Sequence, residues 1–277
     1  MELKSQYNYI TPDMDHIITI KENVKDLGVW MSAEGNFNYH IQKVITKVKQ
    51  RIGWIQRSFR TNNIEFRKFM WRNYVAGLLD YNSQLWSPVD QTKMSSIEQL
   101  LRSYTSHTKG LELLNYWDRL KSMGMLSIQR RFQRYKIIYL WKIVAGKAHN
   151  FGINWTKHPR WGLMIDILYP KYHKVNSKAW NNWRQSLGVD GALLFNNLPF
   201  DVRNYSGKSL SGFKMKLDQM LETIPDCPVS QGLFPAPINQ NTGRNSNCLI
   251  DWYKHLRYNN RGMDADSYID DHSSVSL

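Results

Sequence analysis

The chain has 277 residues, with 37 Lys and Arg against 23 Asp and Glu, and a net charge of +14. Its 42% hydrophobic and 13% aromatic content excludes a disordered polyelectrolyte. The sequence has no run of about 20 apolar residues, so we expect no membrane-spanning helix. The N-terminal residues lack the pattern of a secretory signal, so we expect an intracellular protein, in the nucleus or the cytoplasm.

The first half of the chain predicts a β-hairpin followed by helices. Residues 16–20 and 24–31 have the composition of short strands, with turn chemistry at residues 21–23. Apolar residues then recur every three or four positions, which predicts five helices at residues 37–60, 62–79, 92–106, 115–123 and 127–145. Asn62 and Glu65 form a capping box at the start of the second helix.

The apolar periods also predict which side chains face the core. In the first helix they run from Ile41 to Phe59, with Lys43, Lys47, Trp54 and Arg57 on the opposite face. In the second helix the predicted inward residues are Phe66, Phe69, Met70, Tyr74 and Leu78, and the predicted outward residues are Arg67, Lys68 and Arg72.

The second half of the chain has weaker patterns. We expect short strands and loops at residues 150–186, an amphipathic helix at residues 209–223 and one more helix at residues 248–257. The predicted fold is therefore mainly α, in four parts. An N-terminal β-hairpin (1–36) precedes a basic bundle of about five helices (37–148), a smaller mixed α+β C-terminal region (149–257) and a disordered tail (258–277).

The positive charge is concentrated in the middle of the chain. Residues 1–36 carry 3 basic and 6 acidic side chains, residues 37–160 carry 22 and 6, and residues 161–277 carry 12 and 11. The middle segment alone therefore has a net charge of +16, and aromatic residues are interleaved with its cations. This pattern indicates either a polyanion partner or a solvated helical surface that is rich in Lys and Arg.

Signatures of common catalytic sites are absent from the sequence. There is no Gly-rich phosphate-binding loop, no H-E-x-x-H and no G-x-S-x-G, and Cys227 and Cys248 lack the spacing of a zinc site. The tetrad at residues 268–271 has the Tyr-x-Asp-Asp pattern in which reverse transcriptases present metal-binding carboxylates. Because no apolar strand follows it, we expect a chance match in an acidic tail.

A series of short motifs resembles the reverse transcriptase of LINE-like (non-LTR) retrotransposons, from the end of the palm onward. Each motif is short, and their collinear order over residues 16–257 gives the resemblance its weight. The motifs lie at residues 24–29, 37–41, 57–59, 81, 85–88, 97–100, 116–120, 123–125, 130–131, 187–189, 194–199, 213–218, 224–226 and 228.

The resemblance implies a function in nucleic-acid binding. It matches residues 16–31 to the hairpin at the end of the palm and residues 37–145 to the helical thumb and the segment after it, and the thumb tracks the backbone of the template–primer. The partners would be RNA, an RNA–DNA hybrid or DNA. The predicted binding residues are Lys43, Lys47, Arg51, Trp54, Arg57, Arg60, Arg67, Lys68, Arg72, Arg130, Arg131 and Arg134.

The same resemblance separates binding from catalysis. The catalytic palm would precede Met1, so the resemblance leaves enzyme activity uncertain, with no independent polymerase activity expected. No cofactor is expected in this chain, because the Mg²⁺ would belong to the missing palm. Two alternatives stay open at this point: a domesticated helical module that binds an acidic protein, and an active enzyme that uses Asp270 and Asp271. The sequence does not predict an oligomeric state.

Overall fold

The computed structural model describes residues 7–11, 14–18, 21–61, 63–159, 162–167, 178–205, 209–224 and 226. Its elements, in chain order, are β1 (Tyr7–Thr11), β2 (Met14–Ile18), β3 (Asn23–Asp26), β4 (Val29–Ser32), α1 (Asn38–Ser58), α2 (Ile64–Met70), α3 (Ala76–Asp80), α4 (Ser83–Trp86), α5 (Gln91–Ser106), α6 (Tyr116–Ser122), α7 (Ile128–Val144), β5 (Trp155–His158), β6 (Gly162–Ile165), α8 (Lys178–Gln185), α9 (Ala192–Asn196), α10 (Phe200–Arg203) and α11 (Leu210–Glu222). Two π-helical turns, Trp71–Val75 and Leu187–Gly191, join α2 to α3 and precede α9. The predicted mainly α fold is confirmed.

The N-terminal strands pair differently from the prediction. Strands β1 and β2 form one antiparallel hairpin, and β3 and β4 form a second one whose turn lies at Leu27 and Gly28. Both turn residues have positive φ, at 42° and 88°, as the tight two-residue hairpin turn requires. The turn predicted at residues 21–23 is therefore wrong. The glycine, which takes positive φ without steric cost, decides where the chain reverses.

The second hairpin docks onto the helices. The Tyr81 hydroxyl donates a 2.6 Å hydrogen bond to the Leu27 carbonyl, and a Cβ added at Gly28 would lie 3.3 Å from the Tyr81 ring. Val29 is buried, and Trp30 makes an edge-to-face contact with Tyr39 of α1. Residues 23–32 are thus held against the bundle at both the turn and the last strand.

Five helices, α2, α5, α6, α7 and α11, begin where a polar side chain caps them. Asn63, Asp90, Asn115, Ser127 and Ser209 each accept a hydrogen bond from a main-chain N–H in the first turn of the helix that follows. The second helix is therefore capped by Asn63. The capping box predicted from Asn62 is one residue out of register, and Asn62 itself lies outside the described residues.

Helix α7 belongs to two hydrophobic cores. Ile128 and Phe132 pack in the first core with α1, α2 and α5, whereas Ile137, Leu140 and Trp141 pack in the second core with β6, α9 and α11. The predicted boundary at residue 148 follows this helix, but the second half of α7 packs with the C-terminal region. The short strands expected within residues 150–186 are β5 and β6, but the end of that segment forms helix α8, which the prediction missed. The amphipathic helix expected at residues 209–223 is α11. The helix predicted at 248–257 and the tail at 258–277 lie outside the described residues.

Candidate nucleic-acid interface

The exposed side of α1 carries cations and no acid. The helix contains Lys43, Lys47, Lys49, Arg51 and Arg57, and it has no Asp or Glu. We call Lys43, Lys47, Arg51 and Arg57 the cationic stripe, because spacings of three or four residues through position 54 place them along one side of the helix. Ile41, Val44, Val48, Ile52 and Ile55 fill the buried side.

The cations of the stripe have no acidic partner in the described part of the chain, where the ion pairs involve other residues. Lys43 and Lys47, and Lys47 and Arg51, are like charges four residues apart, an arrangement that destabilises an isolated helix by a few tenths of a kcal/mol per pair. From Lys43 to Arg57 the stripe extends about 21 Å at the 1.5 Å rise of an α-helix. A helix that keeps such repulsion presents a surface suited to an external anion.

Aromatic rings lie at both ends of the stripe. At the N-terminal end, the Lys43 Nζ lies 5.0 Å from the centre of the Tyr39 ring. At the C-terminal end, the guanidinium carbon of Arg51 lies 5.8 Å from the centre of the Trp54 ring. Cation–π contacts of this kind hold flexible side chains near the surface while their charge faces solvent.

The rings at the C-terminal end form a connected surface, which we call the aromatic patch: Trp54, Phe59, Phe66 and Tyr74. The Trp54 ring lies 5.9 Å from Phe59 and 6.0 Å from Tyr74, and Phe59 lies 5.3 Å from Phe66, all between ring centres. Trp54 is 41% exposed, Tyr74 41% and Phe59 36%. The aromatic patch therefore presents three large rings to solvent.

The sequence prediction placed Phe59, Phe66 and Tyr74 in the core, and the π-helical turn explains why Tyr74 does not lie there. A regular helix would carry the buried side from Met70 to Tyr74. The wider turn Trp71–Val75 instead carries it to Val75, which is fully buried. Tyr74 is thereby exposed, as is Phe69. Phe59, predicted on the apolar side of α1, follows the last helical residue and is exposed as well.

Arg67 is the clearest departure among the predicted binding residues. It is 3% exposed, and its guanidinium donates a 2.5 Å hydrogen bond to the main-chain carbonyl of Tyr104 and lies over the Tyr104 ring. The expectation that Arg67 points outward is therefore wrong. Lys68 is half-buried beside Gly124, whereas Arg60 and Arg72 are exposed.

The binding residues predicted on α7, Arg130, Arg131 and Arg134, are engaged in ion pairs within the fold, as is the neighbouring Lys136. Each forms an ion pair with an Asp from a distant part of the chain, and Arg130 is only 2% exposed. The pairs are Arg130–Asp226, Arg131–Asp80, Arg134–Asp218 and Lys136–Asp190. The structure thus places Arg130, Arg131 and Arg134 in contacts between elements of the fold, away from the cationic stripe of α1.

A buried polar cluster closes the N-terminus of α7. The Glu98 carboxylate accepts hydrogen bonds from the Tyr116 hydroxyl and from the main-chain N–H groups of Ile128 and Gln129. Burial raises the pKa of Glu98 above its usual value, and the three hydrogen bonds counteract the shift. Asp226 accepts from the N–H and hydroxyl of Ser127, and burial raises its pKa too.

This cluster has a structural role in the geometry observed. Its carboxylates accept hydrogen bonds from main-chain N–H groups at the N-terminus of α7. Within the described ranges, no three His, Cys, Asp or Glu side chains lie close enough together to bind a metal ion. Asp270 and Asp271, the carboxylates of the alternative enzyme hypothesis, lie outside those ranges, as do Cys227 and Cys248. Of the helices that the structure describes, none is both long enough and apolar enough to cross a membrane.

Comparison with known proteins finds a similarity to Uncharacterized protein B0403.1 of Caenorhabditis elegans, with 23% identity over 158 residues. The similarity covers 56% of this chain and 79% of that protein. No protein-family model matches the chain. No solved structure matches it. The relative's description names no ligand or activity, so the surface of the chain itself carries the functional argument.

Proposed function

We propose that the helical block binds the sugar–phosphate backbone of RNA or of an RNA–DNA hybrid through the cationic stripe, with little sequence preference. DNA is an alternative ligand of the same backbone chemistry. The proposal includes an origin shared with the thumb region of non-LTR retrotransposon reverse transcriptases, and it assigns no polymerase activity to this chain. Such a function would be carried out inside the cell, in the nucleus or the cytoplasm.

The contrast between α1 and α7 carries this proposal. Both helices are rich in Lys and Arg, yet four cations of α7 are neutralised by Asp side chains and the stripe of α1 has no such partner among the described residues. An unneutralised row of charge on one side of a helix attracts a polyanion more strongly than any neutral surface nearby. The free energy of binding would come from releasing the counterions of the nucleic acid.

The dimensions of the stripe fit this ligand. Phosphates of one strand follow one another at about 3.4 Å along the axis, so a stripe of about 21 Å faces roughly six of them. Phosphate contacts fix the position of a protein on the backbone and carry no base information. We therefore expect similar affinity for unrelated sequences.

The test is the salt dependence of binding to RNA–DNA hybrids of two unrelated sequences. Affinity should fall steeply between about 50 and 200 mM salt, with a logarithmic slope of about −0.7 to −0.9 for each phosphate contacted. The two hybrids should show the same slope. Affinity that does not change with salt would contradict the proposal.

A second candidate function is a helical protein-interaction module. A groove of about 920 Å³ between α6, α7 and α11 favours it, since apolar side chains of Trp117, Leu120, Met125 and Leu221 line the groove beside charged ones. A protein partner bound there would stay associated after nuclease treatment, whereas an association bridged by RNA would be lost.

A further inference from the structure

We propose that the aromatic patch binds unpaired bases, so that the preferred ligand is a nucleic acid with a single-stranded segment beside the backbone that the cationic stripe follows. This inference rests on the proposed function and adds to it a second contact of different chemistry. The stripe would hold phosphates, and the patch would stack on bases that are not paired.

The exposure of the patch is the first observation behind this inference. The centre of the Trp54 ring lies 5.9 Å from that of Phe59 and 6.0 Å from that of Tyr74. Each of the three side chains keeps more than a third of its surface exposed to solvent. Solvent-facing aromatic surface of this extent marks a contact site more often than a single exposed ring does. Base stacking needs such rings, because each nucleobase offers an apolar π-face.

The surrounding charge favours a nucleic acid as the occupant. Residues 38–80 carry nine Lys and Arg against two Asp and Glu, and one of those acids, Asp80, is paired with Arg131. A peptide would find apolar rings there but few acceptors for its own cations. A nucleic acid offers both a base for the ring and a phosphate for the neighbouring guanidinium of Arg51, 5.8 Å from Trp54.

The position of Trp54 connects the two contacts. It lies on α1 between Lys47 and Arg57, at helical spacings that place it on the same side as the stripe. A backbone that follows the stripe toward the C-terminal end of α1 therefore arrives at the aromatic patch. Paired bases in the interior of a duplex are stacked on both faces, so away from the duplex ends only an unpaired base can use the rings.

The π-helical turn provides an independent observation. It costs the helix its regular hydrogen-bond ladder at residues 71–75, and its effect is to move Tyr74 from the core side to the Trp54 ring. Single π-turns inside α-helices occur frequently at functional sites. Here the irregular segment adds a ring to the patch.

The experiment compares three RNA–DNA hybrids of equal duplex length. One is blunt, one has a short single-stranded overhang, and one has an overhang of abasic nucleotides, which keeps the phosphates and removes the bases. At a fixed salt concentration the full chain should bind the normal overhang roughly 5- to 150-fold more tightly than the abasic one. The blunt hybrid and the abasic one should differ only by the added phosphates.

Variants assign that preference to the patch. Trp54→Ala combined with Tyr74→Ala should abolish the ratio of affinities between the normal and the abasic overhang. Because Arg51 lies over the Trp54 ring, a weakened backbone contact would lower both affinities equally and leave that ratio as the readout. Trp54→Phe, which keeps a ring, should retain most of the preference. The matched control is Phe151→Ala combined with Phe200→Ala, two exposed aromatics outside the patch, which should change nothing.

The outcomes distinguish this inference from the proposed function. Equal binding of the normal and abasic overhangs by the unmodified chain overturns the inference, while salt-dependent binding of the blunt hybrid still supports backbone recognition. A preference that survives in the double variant overturns the assignment to the patch. Absence of salt-dependent binding to any of the three ligands overturns the proposed function and the inference together.

Discussion

Arg67 and Tyr104 each hydrogen-bond to the main-chain carbonyl of the other. The Arg67 guanidinium donates to the Tyr104 carbonyl at 2.5 Å, and the Tyr104 hydroxyl donates to the Arg67 carbonyl at 2.8 Å. The guanidinium also lies 4.4 Å from the centre of the Tyr104 ring. Burial raises the pKa of Tyr104 to about 12, so its hydroxyl stays protonated as a donor at any ordinary pH. This pair joins α2 to α5 in the centre of the first core.

Tyr104→Phe should therefore destabilise the fold without changing nucleic-acid binding. The substitution removes one of two donors to the Arg67 carbonyl, which keeps the Trp71 main-chain N–H. Losing this one hydrogen bond is expected to cost about 0.5–1.5 kcal/mol in the free energy of unfolding. Chemical denaturation measures this loss. Tyr74→Phe is the matched control, because it removes the same hydroxyl from a tyrosine that is exposed. A salt slope altered by Tyr104→Phe would show that the core pair also shapes the binding surface.

Neutralising the cationic stripe should reduce the salt dependence of binding. Lys43→Gln combined with Lys47→Gln removes two phosphate contacts and is expected to lower the magnitude of the slope by about 1.4–1.8. The free energy of unfolding should stay level or rise slightly, since a like-charge pair is lost. The control is Lys109→Gln with Lys147→Gln, exposed residues outside α1 that give the same net charge. If both double variants change the slope equally, the effect is one of overall charge and the stripe is not the binding surface.

Arg131→Gln should lower the stability of the fold and leave the salt dependence of binding unchanged. Arg131 forms a two-pronged contact with Asp80, and the Tyr135 hydroxyl donates to the same carboxylate at 3.1 Å. Removing the guanidinium is expected to cost about 1–3 kcal/mol of stability, since a charge-assisted contact in a partly buried site is lost. Binding to the hybrid should keep its slope. A double-mutant cycle with Asp80→Asn isolates the pair, and a coupling free energy near zero would contradict its structural role.

Glu98 gives the stability a defined dependence on pH. Its pKa is raised in the folded protein by burial, so between its usual value of 4.5 and the raised value the folded state holds more protons than the unfolded state. The contribution of Glu98 to stability is therefore fully present at pH below 4.5 and is lost as the pH rises through the raised pKa. Asp226, raised by burial from 3.8, acts in the same direction.

Glu98→Gln should remove this contribution to the pH dependence of stability. The measurement is the free energy of unfolding of both proteins between about pH 4 and pH 8, taken as a difference at each pH. His40, whose pKa is lowered by burial, contributes stability that is lost on acidification, and this opposing contribution cancels in the difference. The difference should move in favour of the variant as the pH rises. A difference that stays constant would mean that Glu98 titrates at its usual pKa.

Local patterns predicted five of the helices closely and missed α4, α8, α9 and α10. Helices α1, α5, α6, α7 and α11 begin and end within one or two residues of their predicted limits, because apolar periodicity and capping side chains are local properties of the chain. The amphipathic character of α1, with its row of cations, was equally predictable from the sequence. In a regular helix, residues spaced three or four positions apart lie on the same side. The hairpin turn was misplaced because strand composition weighed more in the prediction than the positive φ available to Gly28.

The sequence by itself determined the mainly helical fold, the concentration of positive charge in residues 37–160 and the cationic side of α1, because these follow from composition and helical period. Only the tertiary structure decided which cations face solvent. The acids that neutralise Arg130, Arg131 and Arg134 lie 51 to 96 residues away in the chain, and no local pattern places Asp80, Asp218 or Asp226 beside them. The burial of Arg67 was likewise decided by packing between helices. The exposure of Tyr74 follows from the π-helical turn, which shifts that side chain relative to the core.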